Sequence, residues 1–368
     1  MNAVGGLIVW QGVVSGEVGR VFFRQRKGNT MKKMLNGLFA TVAACGLLLG
    51  SGASAADVKE RVLRIAYANG EGNPQHEGAK KFAELVSAKS GGKMVVKLFP
   101  NATLGKDIAV LSSLQGGTID MAIMYTSLLV GNSKDAGLVQ LPFLFDNDKE
   151  VFGVLDGRVG QKIHASLEPK GVIGLGYYGF GYVNMISNKH PIKTIDDFKG
   201  QKLRVTETPI NIEFINVLGG NAVPVPYAEL YTAFEQRIVD GGAQPLINLQ
   251  FAKFFEVQKY LSLTRHGYEP QSVLMSKKTW DKLSADEKKV VKDAFEESKG
   301  FQRKLASDLD EQCLAFLKTK MTINELDPAE IAKIREKVKP MTEKFAKEYN
   351  EALAKELFAD IAKVRAGK

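Results

Sequence analysis

From residue 62 to residue 276 the chain alternates short apolar runs of strand length with segments of helical periodicity, and no linker rich in Gly, Pro or Ser interrupts them. Strands are expected over 62–67, 94–99, 119–124, 172–178 and 182–187. Helices are expected over 76–87, 107–116 and 149–167, with 140–145 a loop or short strand. A second set follows His190-Pro191: helices over 195–198, 209–218 and 228–237, strands over 202–205 and 223–226, and a strand-to-loop passage at 241–245. Strands at 262–266 and 271–276 are read as returning to the first unit. From Ala285, Val290, Val291, Ala294, Phe295, Ser298, Phe301, Leu305 and Leu309 mark one long amphipathic helix, and two more lie near 328–337 and 341–362. Alternation of this kind specifies an α/β fold with largely parallel sheets. A chain that passes between two α/β sets with no linker is expected to cross between two lobes more than once. The expectation is lobe 1 from 56–181 plus 270–309 and lobe 2 from 182–269 plus 310–368, with hinges near 181–183 and 269–270. The 285–317 helix would brace both lobes.

Net charge narrows the partners. The sequence carries 50 Lys+Arg against 41 Asp+Glu, an excess that on its own suggests nucleic acid or a membrane surface. Residues 1–55 hold six basic side chains (Arg20, Arg24, Arg26, Lys27, Lys32, Lys33) and one acid, Glu17, so the remaining 313 residues carry only 44 against 40. The basic signal belongs to the leader, and no nucleic-acid partner is expected. From Met31 the run MKKMLNGLFATVAACGLLLGSGASA has two lysines, an apolar stretch and Ala53-Ser54-Ala55, the pattern of a secretory signal with cleavage after Ala55. Residues 1–30 lack such logic and read as a misassigned upstream start.

Two cysteines are present, and removal of the leader takes Cys45 with it. Cys313, in an apolar helical pattern, is expected as a small core residue without a disulfide partner. Gly174-Leu-Gly176-Tyr-Tyr-Gly179 matches the spacing of a dinucleotide-binding turn, but a strand pattern follows where a phosphate-binding helix is needed. His76, His164, His190 and His266 include no pair at helical metal-ligand spacing. No nucleophile, base and oxyanion donors assemble in the sequence, so neither an enzyme, a cofactor nor a metal is expected.

One stretch goes further. Pro-Ile-Lys-Thr-Ile-Asp-Asp-Phe-Lys-Gly-Gln-Lys-Leu-Arg-Val (191–205) resembles the signature of the extracytoplasmic solute receptors of tripartite ATP-independent periplasmic (TRAP) transporters, of the dicarboxylate-binding type. The resemblance continues in order through Phe99–Gly105, Leu114–Asp120, Leu141–Phe145, Pro226–Tyr231, Val239–Gly241 and Lys253–Tyr260. It implies a two-lobed periplasmic-binding-protein-like fold, a periplasmic location, a small carboxylate ligand and transporter membrane subunits as partners.

The resemblance also implies site residues. Arg204 takes the place of the arginine that pairs with the ligand carboxylate; its planar fork offers two parallel donors and stays charged. Tyr227 matches an aromatic residue that packs on the ligand. Gln244 stands for an Asn and Ala243 for a Glu of the family's run before Pro245. Asn184 occupies the place of a second family arginine, which argues against a second carboxylate clamp and toward a polyhydroxylated monocarboxylate such as a sugar acid. Tyr125 and Thr126, at a strand end, and Asn73 and His76, in the first strand-to-helix loop, are expected near the cleft. A ligand-binding sensory protein, or an exported enzyme using the same cleft, are the rival readings.

Overall fold

The computed structural model describes residues 57–367; the proposed start at Met31, the signal peptide and its cleavage site lie outside them. The elements run β1 (Arg61–Tyr67), α1 (Pro74–Lys89), β2 (Met94–Phe99), α2 (Asp107–Gly116), β3 (Met121–Tyr125), α3 (Asp148–Leu155), α4 (Arg158–Ala165), β4 (Val172–Tyr178), β5 (Tyr182–Ser187), β6 (Lys202–Val205), α5 (Pro209–Val217), β7 (Asn221–Pro224), α6 (Leu230–Glu235), β8 (Gly241–Pro245), α7 (Leu246–Phe251), β9 (Tyr260–Tyr268), β10 (Gln271–Ser276), α8 (Lys277–Trp280), α9 (Ala285–Leu317), β11 (Thr322–Glu325) and α10 (Pro328–Arg365).

They form two sheets, ordered β2-β1-β3-β10-β4 and β11-β9-β5-β8-β6-β7. Each sheet is parallel apart from one reversed strand, β10 in the first and β5 in the second. The reversed strand is in each case the one that has just arrived from the other lobe. The expectation that both 262–266 and 271–276 return to the first unit holds only for β10. β9 stays in the second sheet, paired with β5 and with β11, a strand the sequence pattern did not reveal.

The two crossings lie side by side. Glu269 N–H donates to Gly181 O at 3.2 Å, and Thr126 N–H donates to Pro270 O at 3.0 Å. Gln302, fully buried on α9, receives Gly179 N–H on Oε1 at 2.9 Å and donates from Nε2 to Gly179 O at 2.6 Å. One turn of the long helix thereby satisfies both backbone groups of a glycine that has no strand partner. Next to it, Arg303 donates to Tyr177 O and grips Asp156 through both Nη atoms at 2.6 and 2.7 Å. The N-terminal half of α9 packs on α1 and β4, and its C-terminal part on α7, so it spans both lobes. Cys313 is buried on it, as expected.

The helix expected over 149–167 is two, α3 and α4, broken at Asp156-Gly157. The two expected after 328 are one run, α10, that continues through Pro340 and kinks at Asn350 (φ −170°, ψ 97°). Asn350 Oδ1 accepts from Leu353 N–H at 3.0 Å, restarting the helix as an N-cap would, and Nδ2 donates to Asp135 at 2.9 Å. The 310–368 segment, expected in the second lobe, supplies β11 there, but α10 packs against α3 and α4 as well as α5. The glycines of the dinucleotide-like run serve packing. A Cβ at Gly174 would fall 2.1 Å from the His164 ring, and one at Gly176 2.4 Å from Phe295.

Candidate ligand-binding site

The 191–205 stretch builds a short device that delivers one arginine. Asp197 Oδ2 accepts from the backbone of Lys193 and Thr194 at 2.9 and 2.8 Å, closing a capping box over the 195–198 turn. Gln201 Oε1 accepts from Ser187 Oγ at 2.6 Å, and Asp240 Oδ2 accepts from Lys202 N–H at 2.8 Å, which fixes the entry of β6. Gly242 lies opposite Arg204 in β8, where a Cβ would come within 2.9 Å of Arg204 O. A side chain there would push the two strands apart.

Arg204 is 3% exposed. Its Nε donates to Val225 O at 2.9 Å, and among the described residues neither Nη has a hydrogen-bond or ion-pair partner. Burial pulls its pKa down, while Tyr125, Glu269, Tyr227 and Glu207 act in the opposite sense, so these four groups surround it. A buried guanidinium with two free donors is a costly arrangement unless something with parallel acceptors occupies the space before it.

Around it the lobes meet. Tyr227 Oη, from the second lobe, lies 2.8 Å from Asn69 Oδ1 of the first and 3.2 Å from Asn248 Oδ1. Asn248 Nδ2 donates to Tyr125 Oη at 3.0 Å and to Gln244 Oε1 at 2.9 Å. Asn69 in turn donates to Gln75 Oε1 at 2.9 Å. Lys106 pairs with Glu229 across the opening, and Thr208 Oγ1 donates to Gln140 Oε1 at 3.2 Å. A cavity of about 400 Å³ remains between the lobes, lined by Asn69, Asn73, Asn101, Tyr227, Phe251 and Phe254 among others. Burial lifts the Tyr125 and Tyr227 hydroxyls above the usual range, so both are neutral hydrogen-bonding groups.

Arg204, Tyr227, Gln244 and Tyr125 thus come together. Asn73 lines the same opening, but its Oδ1 caps α1 by accepting from Gln75 N–H at 2.9 Å, leaving a buried Nδ2 with no partner. Three other residues named from the sequence have their groups engaged within the protein. Asn184 accepts from Arg265 N–H at 3.1 Å and donates to Tyr182 O at 3.1 Å, filling the bulge between β5 and β9. Thr126 Oγ1 bonds Pro270 O at 3.0 Å and Ser272 Oγ at 2.9 Å beneath the second crossing. His76 Nδ1 contacts Tyr67 Oη at 3.1 Å.

Three groups at the site were not foreseen. Asn248 ties Tyr125, Tyr227 and Gln244 together. Glu269, 5% exposed, accepts from Gln140 Nε2 at 2.7 Å through Oε1. Burial pushes its carboxyl up to about 8, against the pull of Arg204 and of Gln140. Asp107 at the start of α2 is pushed up to about 6 by burial and by Glu207 of the other lobe, with Arg204 opposing. Glu269 lies in the crossing expected near 269–270, though nothing there marked it as a site residue; nothing local flags Asn248 or Asp107.

Two α/β lobes joined by adjacent crossings, closed on a buried arginine with free donors, define a solute-binding protein of the hinged, two-lobed class. The chain belongs to the bacterial extracellular solute-binding protein family 7 (DctP), whose profile matches residues 65–348. It is 37% identical over 265 residues to the 2,3-diketo-L-gulonate-binding periplasmic protein YiaO of Escherichia coli, covering 72% of this chain and 81% of that one. A TRAP periplasmic solute-binding protein from Ochrobactrum anthropi is similar in structure, with TM-score 0.77 and 43% identity over 85% of this chain and 98% of that chain. The sugar acid binding protein DctPAm of Advenella mimigardefordensis, solved with galactonate, has TM-score 0.82 and 38% identity, covering 84% of this chain and all of its own. The family is described as one of extracellular solute-binding proteins. No helix among the described residues is long and apolar enough to cross a membrane.

Proposed function

We propose that this receptor binds a small monocarboxylate bearing several hydroxyls, a sugar acid, between its lobes and hands it unchanged to the membrane subunits of a TRAP transporter in the periplasm. The leader ending at Ala55 would direct it there. The observation that carries this reading is Arg204: buried, held by its Nε to Val225 O, and leaving two Nη atoms without a partner among groups of both lobes, Tyr125, Glu269, Tyr227 and Glu207. The carboxylate would sit on those donors as a bidentate pair. Tyr125, Tyr227, Gln244 and Asn248 supply neutral hydroxyl and amide groups suited to alcohol oxygens. Asn184 and the other described groups around Arg204 supply no second cation, and Asp107 and Glu207 add acids. A second carboxylate would meet these, which favours a monocarboxylate. The 2,3-diketo-L-gulonate and galactonate named for the two relatives are of this chemical kind.

The test is calorimetric titration of residues 56–368 with D-galactonate, D-gluconate, D-erythronate and succinate, with Arg204→Ala as control. Binding of at least one aldonate, abolished in Arg204→Ala and stronger than that of succinate, is the expected result. Failure of every acid to bind, or unaltered binding by the variant, overturns it.

A further inference from the structure

Beside the second crossing lie several buried oxygens without a partner. Glu269 Oε2, Ser127 Oγ and Gln271 Oε1 are all buried and without a hydrogen-bond partner. Their residues are only 5%, 0% and 1% exposed, respectively. They converge by topology: Gln271 is the register partner of Tyr125 across β10 and β3, Ser127 follows Tyr125 by two residues, and Glu269 precedes Gln271 by two. Ser127 faces the Glu269 carboxyl, although the pair falls short of hydrogen-bond geometry. Arg204 and Glu269 feel each other's charge, yet they form no ion pair. A void of about 40 Å³ adjoins Glu269.

Buried polar groups are almost always paired, so an arginine with free donors and a nearby carboxyl with a free oxygen, held apart, describe the outline of a missing molecule. It must present acceptors to the guanidinium and a hydroxyl to the carboxyl. Resting on the receptor reading above, we infer that Glu269, assisted by Ser127, is the specificity residue that reads a ligand hydroxyl, and that it makes the site prefer hydroxylated acids to their deoxy counterparts. The other carboxyl oxygen is held by Gln140 Nε2, which fixes the direction in which Oε2 points. Because burial raises its pKa to about 8, the carboxyl is mostly protonated at neutral pH and can donate to, or accept from, an alcohol. It adds no full charge against the ligand's own carboxylate.

The four-carbon acids D-erythronate and butanoate separate the two readings, since they share the carboxylate and the chain length and differ only in hydroxyls. Affinities of the parent, Glu269→Ala, Glu269→Gln, Ser127→Ala and Arg204→Ala would be measured by competition titration. Glu269→Ala is expected to lower the ratio of erythronate to butanoate affinity about tenfold, the size of one buried hydrogen bond. Glu269→Gln keeps an oxygen for Gln140 and a donor for the hydroxyl, and it should stay within about threefold of the parent ratio. Ser127→Ala leaves Glu269 and its bond to Gln140 in place and should lower the ratio in the same direction, which covers the case in which Glu269→Ala fails to fold. Equal losses for both acids in Glu269→Ala, or an unchanged ratio in Ser127→Ala, would show a merely structural role and overturn the inference. Loss of both acids in Arg204→Ala would leave the receptor reading standing even then, whereas parent protein that binds neither these two nor any other acid of the first panel overturns both.

Discussion

Tyr227 of the second lobe reaches Asn69 of the first with its hydroxyl at 2.8 Å, one of the polar links laid across the cleft, beside those of Asn248 to Tyr125 and Thr208 to Gln140. The bond exists only when the lobes are closed, so it contributes to the closed state and to nothing in the open one. Tyr227→Phe keeps the ring and removes the link. Ligand affinity should fall about three- to tenfold, with the small-angle scattering radius of the ligand-bound protein shifted toward the open value.

Arg204→Lys tests the fork and the charge separately. A lysine keeps the charge but cannot hold its place on Val225 O while presenting two parallel donors. Affinity for an aldonate should drop by more than tenfold in the lysine variant and further in Arg204→Ala, and the ligand-free alanine variant should melt no lower than the parent, because its buried unpaired charge is gone. Titration calorimetry and a melting curve on the same samples check both halves.

Gln302→Ala leaves Gly179 N–H and C=O buried and unpaired. The expected cost is about 3 kcal/mol, a fall in melting temperature of several degrees. Because the lost groups anchor the first crossing, the variant should also show faster amide exchange at 179–181 than the parent.

Asn184→Ala should behave as a change to the fold. It strips an acceptor from Arg265 N–H and a donor from Tyr182 O at the β5–β9 bulge, worth about 1–3 kcal/mol. The ratio of erythronate to butanoate affinity should not move; a shift in that ratio would place Asn184 in contact with the ligand.

The pH dependence has two opposed arms. Folding raises the Glu269 carboxyl from its ordinary range to about 8 through burial, so between those values the folded chain holds a proton that the unfolded chain has released, and stability falls as pH rises. Burial lowers His164 to about 3 and His266 to about 4, so both are neutral in the fold, and stability falls as pH drops below their ordinary value near 6.5. Melting temperature should therefore peak between the two arms. Glu269→Gln should flatten the decline from pH 6.5 to 8.5 and leave the acid arm in place.

Strand and helix placement was legible wherever the apolar period was long, as in β1, α1, β4 and α9. It failed where a tertiary contact decides. β11 is four residues of Thr-Ile-Asn-Glu that become a strand only because β9 offers an edge. The α10 kink falls at Asn350, whose capping bond and partner Asp135 override the usual role of Pro340 as breaker. At the proposed site, resemblance pointed to Arg204, Tyr227 and Gln244, which the fold brings together, since each lies inside a recognisable run. Asn184 and Thr126 have suitable chemistry at strand ends, yet the bulge and the crossing engage their groups first. Glu269 and Asn248 gain meaning only once the chain has crossed twice and folded β10 and α7 against the ends of β3 and β8, a juxtaposition no local pattern encodes.

β10 occupies the place between β3 and β4, although nearly a hundred residues separate it from β4 in the sequence. Without it, β3 and β4 have no partner on their facing edges and the first sheet is two disconnected pieces. A nascent chain that has not yet produced Gln271 therefore cannot finish the first lobe, however early its first four strands are made. Compaction waits for the second lobe to be synthesised, and a polypeptide whose folding is postponed in this way remains threadable for most of its synthesis.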